Sequence, residues 1–369
     1  MLGSRPVFNY LFLAYLCTGF HSIRMHFSTT NQPAAPAHAH PRMPSGALRH
    51  ICTCDATEQA KAQEGWNLEY EQISAGRFAG ELALLELPGL SLIQESANQS
   101  IRQQGDLCRD SHLFAFITPA PGRHAVFAGH DVQAHQMLVG AGTDLDLWCP
   151  AGFSLSGMVV DLNWLLSLWE QTHAGPAPAW LHQRCVVTLS ESMGAHLQHL
   201  HRQALAQSRA LTPQTPARAA VPPSAALHSM RDALLLAWLD QIPHEASESM
   251  AASRQARKRI VDKACAHMLV LRDGEPLSML DICRHIGVSH RKLNYCFQDI
   301  LGLSPLHYQR MVRLNRVRWT LQQAPVGSQV QDIAAQWGFW HMGQFGQDYK
   351  RHFGETPSAT LRGASGVSP

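Results

Sequence analysis

The stretch from Leu277 to Pro357 contains the same unit twice, and this repetition constrains the chain more than any other feature. Asp281-Ile282 begins six residues before Gly287, and Asp332-Ile333 six before Gly338. Phe297 follows its glycine by ten residues and Tyr349 by eleven. A second glycine comes five later (Gly302, Gly354) and a proline three after that (Pro305, Pro357). The copies lie 51 residues apart, which marks an internal repeat.

Each copy reads as helix, tight turn, helix. In the first, Ser278 and Asp281 form a capping box that satisfies amides of the first turn. Leu280, Ile282, Cys283 and Ile286 form an apolar stripe. Gly287 ends the helix where a left-handed backbone is wanted. Ser289 caps the next helix, which buries Leu293, Cys296 and Phe297 at helical spacing. The second copy repeats the pattern: Ser328 and Gln331 as capping box, Ile333, Ala334 and Trp337 as stripe, Gly338 as turn, and Phe339, Phe345 and Tyr349 as buried side. This is the helix-turn-helix plan, whose second helix can lie in a major groove.

The segment resembles the C-terminal domain of AraC/XylS-family transcriptional regulators. The resemblance is carried by Gly287-Val288-Ser289, Phe297, Gly302-Leu303-Ser304-Pro305, Arg313-Leu314, Asp332-Ile333-Ala334, Gly338-Phe339, Phe345, Tyr349-Lys350 and Phe353-Gly354-Glu355-Thr356-Pro357, within about 100 of the 369 residues. Residues 338–345 further resemble the ethanolamine-operon activator branch. The resemblance implies two helix-turn-helix units joined by one long helix, preceded by a cupin-like effector domain.

Ser304-Pro305 opens the linking helix, with a hydroxyl cap and then proline where no amide is needed. The helix should run to about Gln323, with Tyr308, Met311, Val312, Asn315 and Trp319 packed inward and Arg310, Arg313, Arg316 and Arg318 adding positive charge. At 1.5 Å rise it spans roughly 30 Å, close to one turn of B-DNA at about 34 Å. The family pattern implies that Arg313 ties the two units together and does not touch DNA. Arg254–Arg272 reads as an amphipathic helix with Arg254, Arg257, Lys258, Arg259 and Lys263 facing out.

Subtracting the buried positions leaves His290, Arg291, Asn294, Tyr295 and Gln298 facing the groove in the first unit, and His341, Gly343, Gln344 and Gln347 in the second. Arg pairs bidentately with guanine, and Asn or Gln with adenine. The expected base readers are therefore His290, Arg291, Asn294, Tyr295, His341, Gln344 and Gln347. The family pattern implies the same for Arg291, Asn294 and Tyr295, whereas it often has a basic residue where Gln347 stands. Lys292, Lys350 and Arg351 suit phosphates, which position a protein without specifying sequence.

Charge is unevenly placed. Between Arg254 and Arg362 there are 16 Lys/Arg and 8 Asp/Glu, a net of +8; the remainder holds 14 basic and 20 acidic residues, a net of −6. That suits a polyanion partner at one end. The nine cysteines show no disulfide or zinc framework, which fits a reducing compartment.

The expected organisation is α+β: an N-terminal cupin-like β-barrel or jelly roll with a helical extension, then an all-α domain with two helix-turn-helix units. Residues 1–65 are read as a disordered or wrongly assigned N-terminal extension, 66–160 as the effector and dimerisation domain, 161–242 as a helical connector, 243–253 as linker and 254–363 as the DNA-binding domain. Val7–Phe20 is an apolar run too short to span a bilayer, so a start at Met25 or Met43 is favoured over a membrane tether. Strands are expected at Trp66–Ile73, Phe78–Leu87, Leu90–Gln94, His112–Thr118, Ala125–Phe127, Met137–Val139, Leu145–Cys149 and Leu155–Val160, with turns between them. Helices are expected at Asp161–Glu170, Gly194–Gln207 and Ala225–Gln241. Trp66, Phe116 and Trp148 are candidates for an effector pocket. His124, His130 and His135 have no partnered Glu, so neither a metal, nor a catalytic residue, nor a cofactor is assigned.

The function these readings support is a cytoplasmic, nucleoid-associated, sequence-specific transcription regulator. Its expected partners are double-stranded promoter DNA, RNA polymerase, a small-molecule effector and a second copy of the chain, and not a membrane. The alternatives are a cupin-type metalloenzyme with a helical appendage and a sensor that no longer contacts DNA.

Overall fold

The computed structural model describes residues 48–364 except 109, 121, 123, 134, 174–175, 179–180, 182, 212–223, 241–251 and 273–274. The apolar run at residues 7–20 and nearly all of the expected linker lie outside them.

Ordered structure starts earlier than the composition suggests. Strand β1 (Leu48–Thr53) and helix α1 (Ala56–Lys61) stand where an unstructured extension was expected. The Asp55 carboxylate caps α1 by accepting from the Thr57 and Glu58 amides, and Ala56, Gln59 and Ala60 are buried. The remaining strands of the N-terminal half are β2 (Asn67–Gln72), β3 (Gly80–Leu87), β4 (Leu90–Ala97), β5 (Ile101–Asp106), β6 (Ser111–Thr118), β7 (Ala125–Phe127), β8 (His130–Val132), β9 (Gln136–Ala141), β10 (Leu145–Cys149), β11 (Phe153–Asp161) and β12 (Cys185–Thr188). They form two antiparallel sheets, ordered β1-β3-β4-β11-β6-β9-β12 and β2-β5-β10-β7-β8.

The period-2 alternation of a strand decides what each face meets. Leu82, Leu84, Leu113, Ala115 and Ile117 point from the larger sheet towards Ile101, Phe127 and Leu147 of the smaller one. Their neighbours Leu85, Leu87, Phe114 and Phe116 point the other way, under helices α2 (Leu162–Thr172), α3 (Glu191–Leu211) and α4 (Ser224–Leu239). Phe114 and Phe116 meet the fully buried Trp238 at 6.1 and 5.8 Å between ring centroids. Because both faces of the larger sheet are covered, β6 reads as an unbroken apolar run.

This geometry corrects the expected pocket. Phe116 lies in the core beneath the helices, Trp66 is half-buried against the inter-sheet core, and Trp148 stands on the outer face of the smaller sheet. The three aromatics belong to three separate clusters and do not share a cavity.

The C-terminal half is helical: α5 (Ala252–Met268), a two-stranded β13 (Leu271–Arg272) and β14 (Glu275–Pro276), then α6 (Met279–Ile286), α7 (His290–Leu301), α8 (Pro305–Gln322), α9 (Val330–Gln336), α10 (Met342–Phe353) and α11 (Pro357–Ala364). Its apolar residues form two cores. One gathers around Phe297, with Val261, Met268, Ile282, Leu293, Met311 and Val312; the other around Phe345, with Leu314, Val317, Leu321, Ile333 and Tyr349. Burying one such side chain contributes about 1.5–3 kcal/mol. Two residues expected inside are not: Leu280 is 56% exposed and Trp319 44%.

Candidate nucleic-acid interface

Both turns close in the same way. After α6, Gly287 takes φ 72°, ψ 34°, and the Val288 amide donates to the Cys283 carbonyl at 3.1 Å. After α9, Gly338 takes φ 78°, and the Phe339 amide donates to the Ala334 carbonyl at 3.0 Å. Each is a six-to-one bond over a left-handed glycine, and donor and acceptor repeat at the 51-residue offset seen in the sequence.

The caps differ between the copies. Ser278 Oγ accepts from the Asp281 amide at 3.2 Å, and Ser289 Oγ from the Lys292 amide at 3.2 Å. In the second copy the expected capping box does not form. Gln329 is the cap residue of α9 and makes no side-chain cap bond, while Ser328 Oγ donates to the Pro325 carbonyl at 2.8 Å. Pro325 sits three residues ahead and offers the hydroxyl a nearer acceptor.

On α7, His290, Arg291, Lys292, Tyr295 and Gln298 are exposed, while Leu293, Cys296, Phe297 and Ile300 are buried. Asn294 is half-buried and its Nδ2 donates to the His290 carbonyl at 3.2 Å. The Tyr295 ring lies 5.6 Å from Lys292 Nζ and 5.7 Å from the Arg257 guanidinium. The face therefore offers a bidentate donor, an amide and an aromatic ring flanked by two cations.

On α10, His341, Gly343, Gln344, Gln347, Lys350 and Arg351 are exposed, but they are not equally available. Gln344 Nε2 donates to both carboxylate oxygens of the buried Asp348 at 3.1 Å. Arg351 and, from α8, Arg310 pair with the same carboxylate. Burial alone would raise the Asp348 pKa; the Gln344 bond and then Arg310 outweigh it and hold it below the usual carboxylate value. Gln344 and Arg351, expected to reach bases and phosphates, are thus engaged on their own helix. Among the described residues Arg291 and Lys350 make no ion pair.

Trp340 and Met342, not among the expected DNA contacts, are 61% and 37% exposed at the start of α10. Apolar side chains there can meet a thymine methyl group. The signal was two large apolar residues bracketing His341, at positions with no place in the buried stripe.

Much of the basic surplus does not face solvent. Arg254 pairs with Asp131 at 2.9 Å, Lys258 with Asp146 at 3.1 Å, and Arg316 with Glu69 at 2.7 Å. Arg318 pairs with Asp55 and, at 2.7 Å, with Glu355. Arg254 and Lys258, expected to face out, and Arg316 and Arg318, expected to add positive charge along the linking helix, therefore meet carboxylates of the β-sheet half. Asp146 also takes Arg102 Nε at 2.9 Å; Arg102 and Lys258 together overcome the effect of burial and keep its pKa low. Arg313 Nη2 donates to the Leu277 carbonyl at 3.4 Å, tying α8 to the start of the first unit.

A helix-turn-helix domain profile matches residues 282–363. That span contains both glycine turns and the helix between them. The C-terminal domain belongs to the AraC-type helix-turn-helix family. The AraC-type domain is 39% identical over 89 residues to a probable thc operon regulatory protein of Rhodococcus erythropolis, a match covering 24% of this chain and 27% of that protein. It is 36% identical over 76 residues to the XylDLEGF operon transcriptional activator of Pseudomonas putida, covering 20% of this chain and 24% of that one. The chain thus spans about a quarter of the length of these curated relatives. A solved structure of a transcriptional regulator with an AraC-type DNA-binding domain, from Chromobacterium violaceum, is 30% identical, covers 31% of this chain and 98% of its own, and has a TM-score of 0.27.

Among the described residues no three His, Cys, Asp or Glu side chains converge on a metal position, and no helix is long and apolar enough to cross a membrane. The matched relatives are a probable operon regulatory protein and an operon transcriptional activator.

Proposed function

We propose that the chain is a sequence-specific, effector-responsive transcription regulator that lays α7 and α10 into successive major grooves of promoter DNA. The observation that carries this is the duplicated turn: the same six-to-one bond over a left-handed glycine, once on either side of the 18-residue α8. That helix is about 27 Å long at 1.5 Å per residue, close to one helical repeat of DNA. Arg291, His290, Asn294 and Tyr295 would read the first half-site, and His341 and Gln347 the second, with Lys292 and Lys350 on phosphates. The β-sandwich with its helices would sense a small molecule and pair with a second copy in the cytoplasm, and the bound complex would contact RNA polymerase.

The test is selection of duplexes from random-sequence DNA by the full chain, followed by titration across salt. The expected outcome is a consensus in two blocks about 10 base pairs apart, with affinity falling steeply as salt rises. A selection that enriches no sequence would overturn this reading and leave a sensor without DNA contact.

A further inference from the structure

Strand β2 is an edge strand of the smaller sheet, so one row of its backbone groups lacks a neighbouring strand. The helical domain covers that edge. The Gln72 amide donates to Asn315 Oδ1 at 3.0 Å, and Asn315 Nδ2 donates back to the Gln72 carbonyl at 2.8 Å. A side-chain amide on α8 thus takes the place of one residue of a missing strand.

The position of this contact on α8 matters. The core around Phe297 ends on the helix at Val312, and the core around Phe345 begins at Leu314. Asn315 stands at that handover, where α8 joins two units whose apolar cores are separate. From the same edge the chain reaches both units. Glu71 Oε2 accepts from the buried Tyr308 hydroxyl at 3.2 Å, on the side of the first unit. Gln72 Nε2 donates to the His352 carbonyl at 2.8 Å, His352 Nε2 donates to the Gln72 carbonyl at 3.0 Å, and the Gly76 amide donates to the His352 carbonyl at 3.0 Å, on the side of the second.

We propose that β2 and the turn after it act as a splint that fixes the angle and spacing between the two recognition helices, making Gln72, Asn315 and His352 positioning residues for half-site spacing. The inference rests on the DNA-binding reading. Without the splint the two units can pivot about the middle of α8; with it, the domain accepts one separation of half-sites. Specificity for spacing is then written in the β-sheet half, far from any base.

The experiment compares the full-length chain with a Gln72→Ala/Asn315→Ala variant and with Asn315→Ala alone. The probes are duplexes carrying the selected half-sites with one or two base pairs inserted between them. Each insertion rotates one half-site by about 35° relative to the other. The unsubstituted chain should lose about tenfold or more in affinity per inserted pair, and the double variant less than about threefold. Equal discrimination by the two would overturn the proposal. A second measurement uses no DNA: electron-spin distance distributions between labels introduced by genetic code expansion at the exposed Gln298 and Gln347. The distribution should broaden in the variants, and one as narrow as in the unsubstituted chain would also overturn the splint. If the double variant fails to fold, Asn315→Ala carries both measurements, since it removes the side-chain amide that pairs with the strand edge and leaves β2 unchanged. If DNA binding itself fails, the spin labels still decide the splint, so the two failures are told apart.

Discussion

Tyr308 on α8 and Glu71 on β2 are buried together, with the hydroxyl donating to the carboxylate at 3.2 Å across 237 positions of sequence. Arg102 donates to the same hydroxyl. Burial pushes the Glu71 carboxyl up, and Arg102 followed by Arg316 opposes it. Tyr308→Phe keeps the ring against Trp148 but leaves a buried acceptor and a buried donor each one partner short. The expected cost is about 1–3 kcal/mol, read as a lower urea midpoint of the full chain with an unchanged slope.

Arg291 and Lys350 should separate two modes of DNA contact. Arg291→Ala is expected to weaken a selected site by about 1–3 kcal/mol while sparing random DNA. Lys350→Ala should weaken both alike and lower the salt slope by about one. Fluorescence anisotropy on specific and scrambled duplexes measures the difference. Loss on both duplexes from Arg291→Ala would remove it from the base-reading set.

The glycines that end α6 and α10 share a left-handed backbone but not their surroundings. Space around Gly287, at φ +72°, is open, so Gly287→Ala meets only backbone strain of roughly 1–2 kcal/mol. At Gly354, φ +75°, an added Cβ comes within 3.0 Å of the Arg77 Cβ on the other half of the chain. Gly354→Ala should therefore cost more than Gly287→Ala in thermal melting, and equal losses would count against that close approach.

His352 supplies a pH test. Burial, followed by the nearby His307 and Arg318, lowers its pKa from the usual 6.5 to about 4. Above pH 6.5 the ring is neutral folded and unfolded, and it does not alter stability. Between 6.5 and 4 the unfolded chain takes up the proton and the folded chain does not, so stability falls on acidification by up to roughly 3 kcal/mol. His352→Gln should flatten this part of the profile of melting temperature against pH. His201, lowered to about 4 by its own burial, contributes equally to both proteins and cancels in the comparison.

The helix-turn-helix half was legible because its signals are local. A glycine that must be left-handed, a serine before a helix and an aromatic at fixed spacing all act within one turn of their own position. The N-terminal half was less so. β5, absent from the expected strands, carries the polar Arg102 and Gln103; both are buried, with Arg102 on Asp146 and Gln103 Nε2 donating to the buried Glu95 at 3.1 Å. β1 and α1 were missed beside a composition that lacks periodicity, although Gln59 of α1 donates to the same Glu95 at 2.7 Å. The partners of the cations on α5 and α8 are hidden for a similar reason. No pattern along a helix tells Lys258 or Arg318 that a carboxylate from another part of the chain will meet it.

The core of the first unit is not made by the C-terminal half alone. Val126 and Trp148 of the smaller sheet, with Ile73 just past the end of β2, are buried in it, and the Trp148 ring lies 5.4 Å from that of Tyr308. Grafting residues 252–364 onto a foreign sensor would bare an apolar face where the indole had been. The boundary at which the chain looks most divisible, from its change of secondary structure, is thus not a place where it can be cut and rejoined, and a working chimera would have to bring the smaller sheet with it.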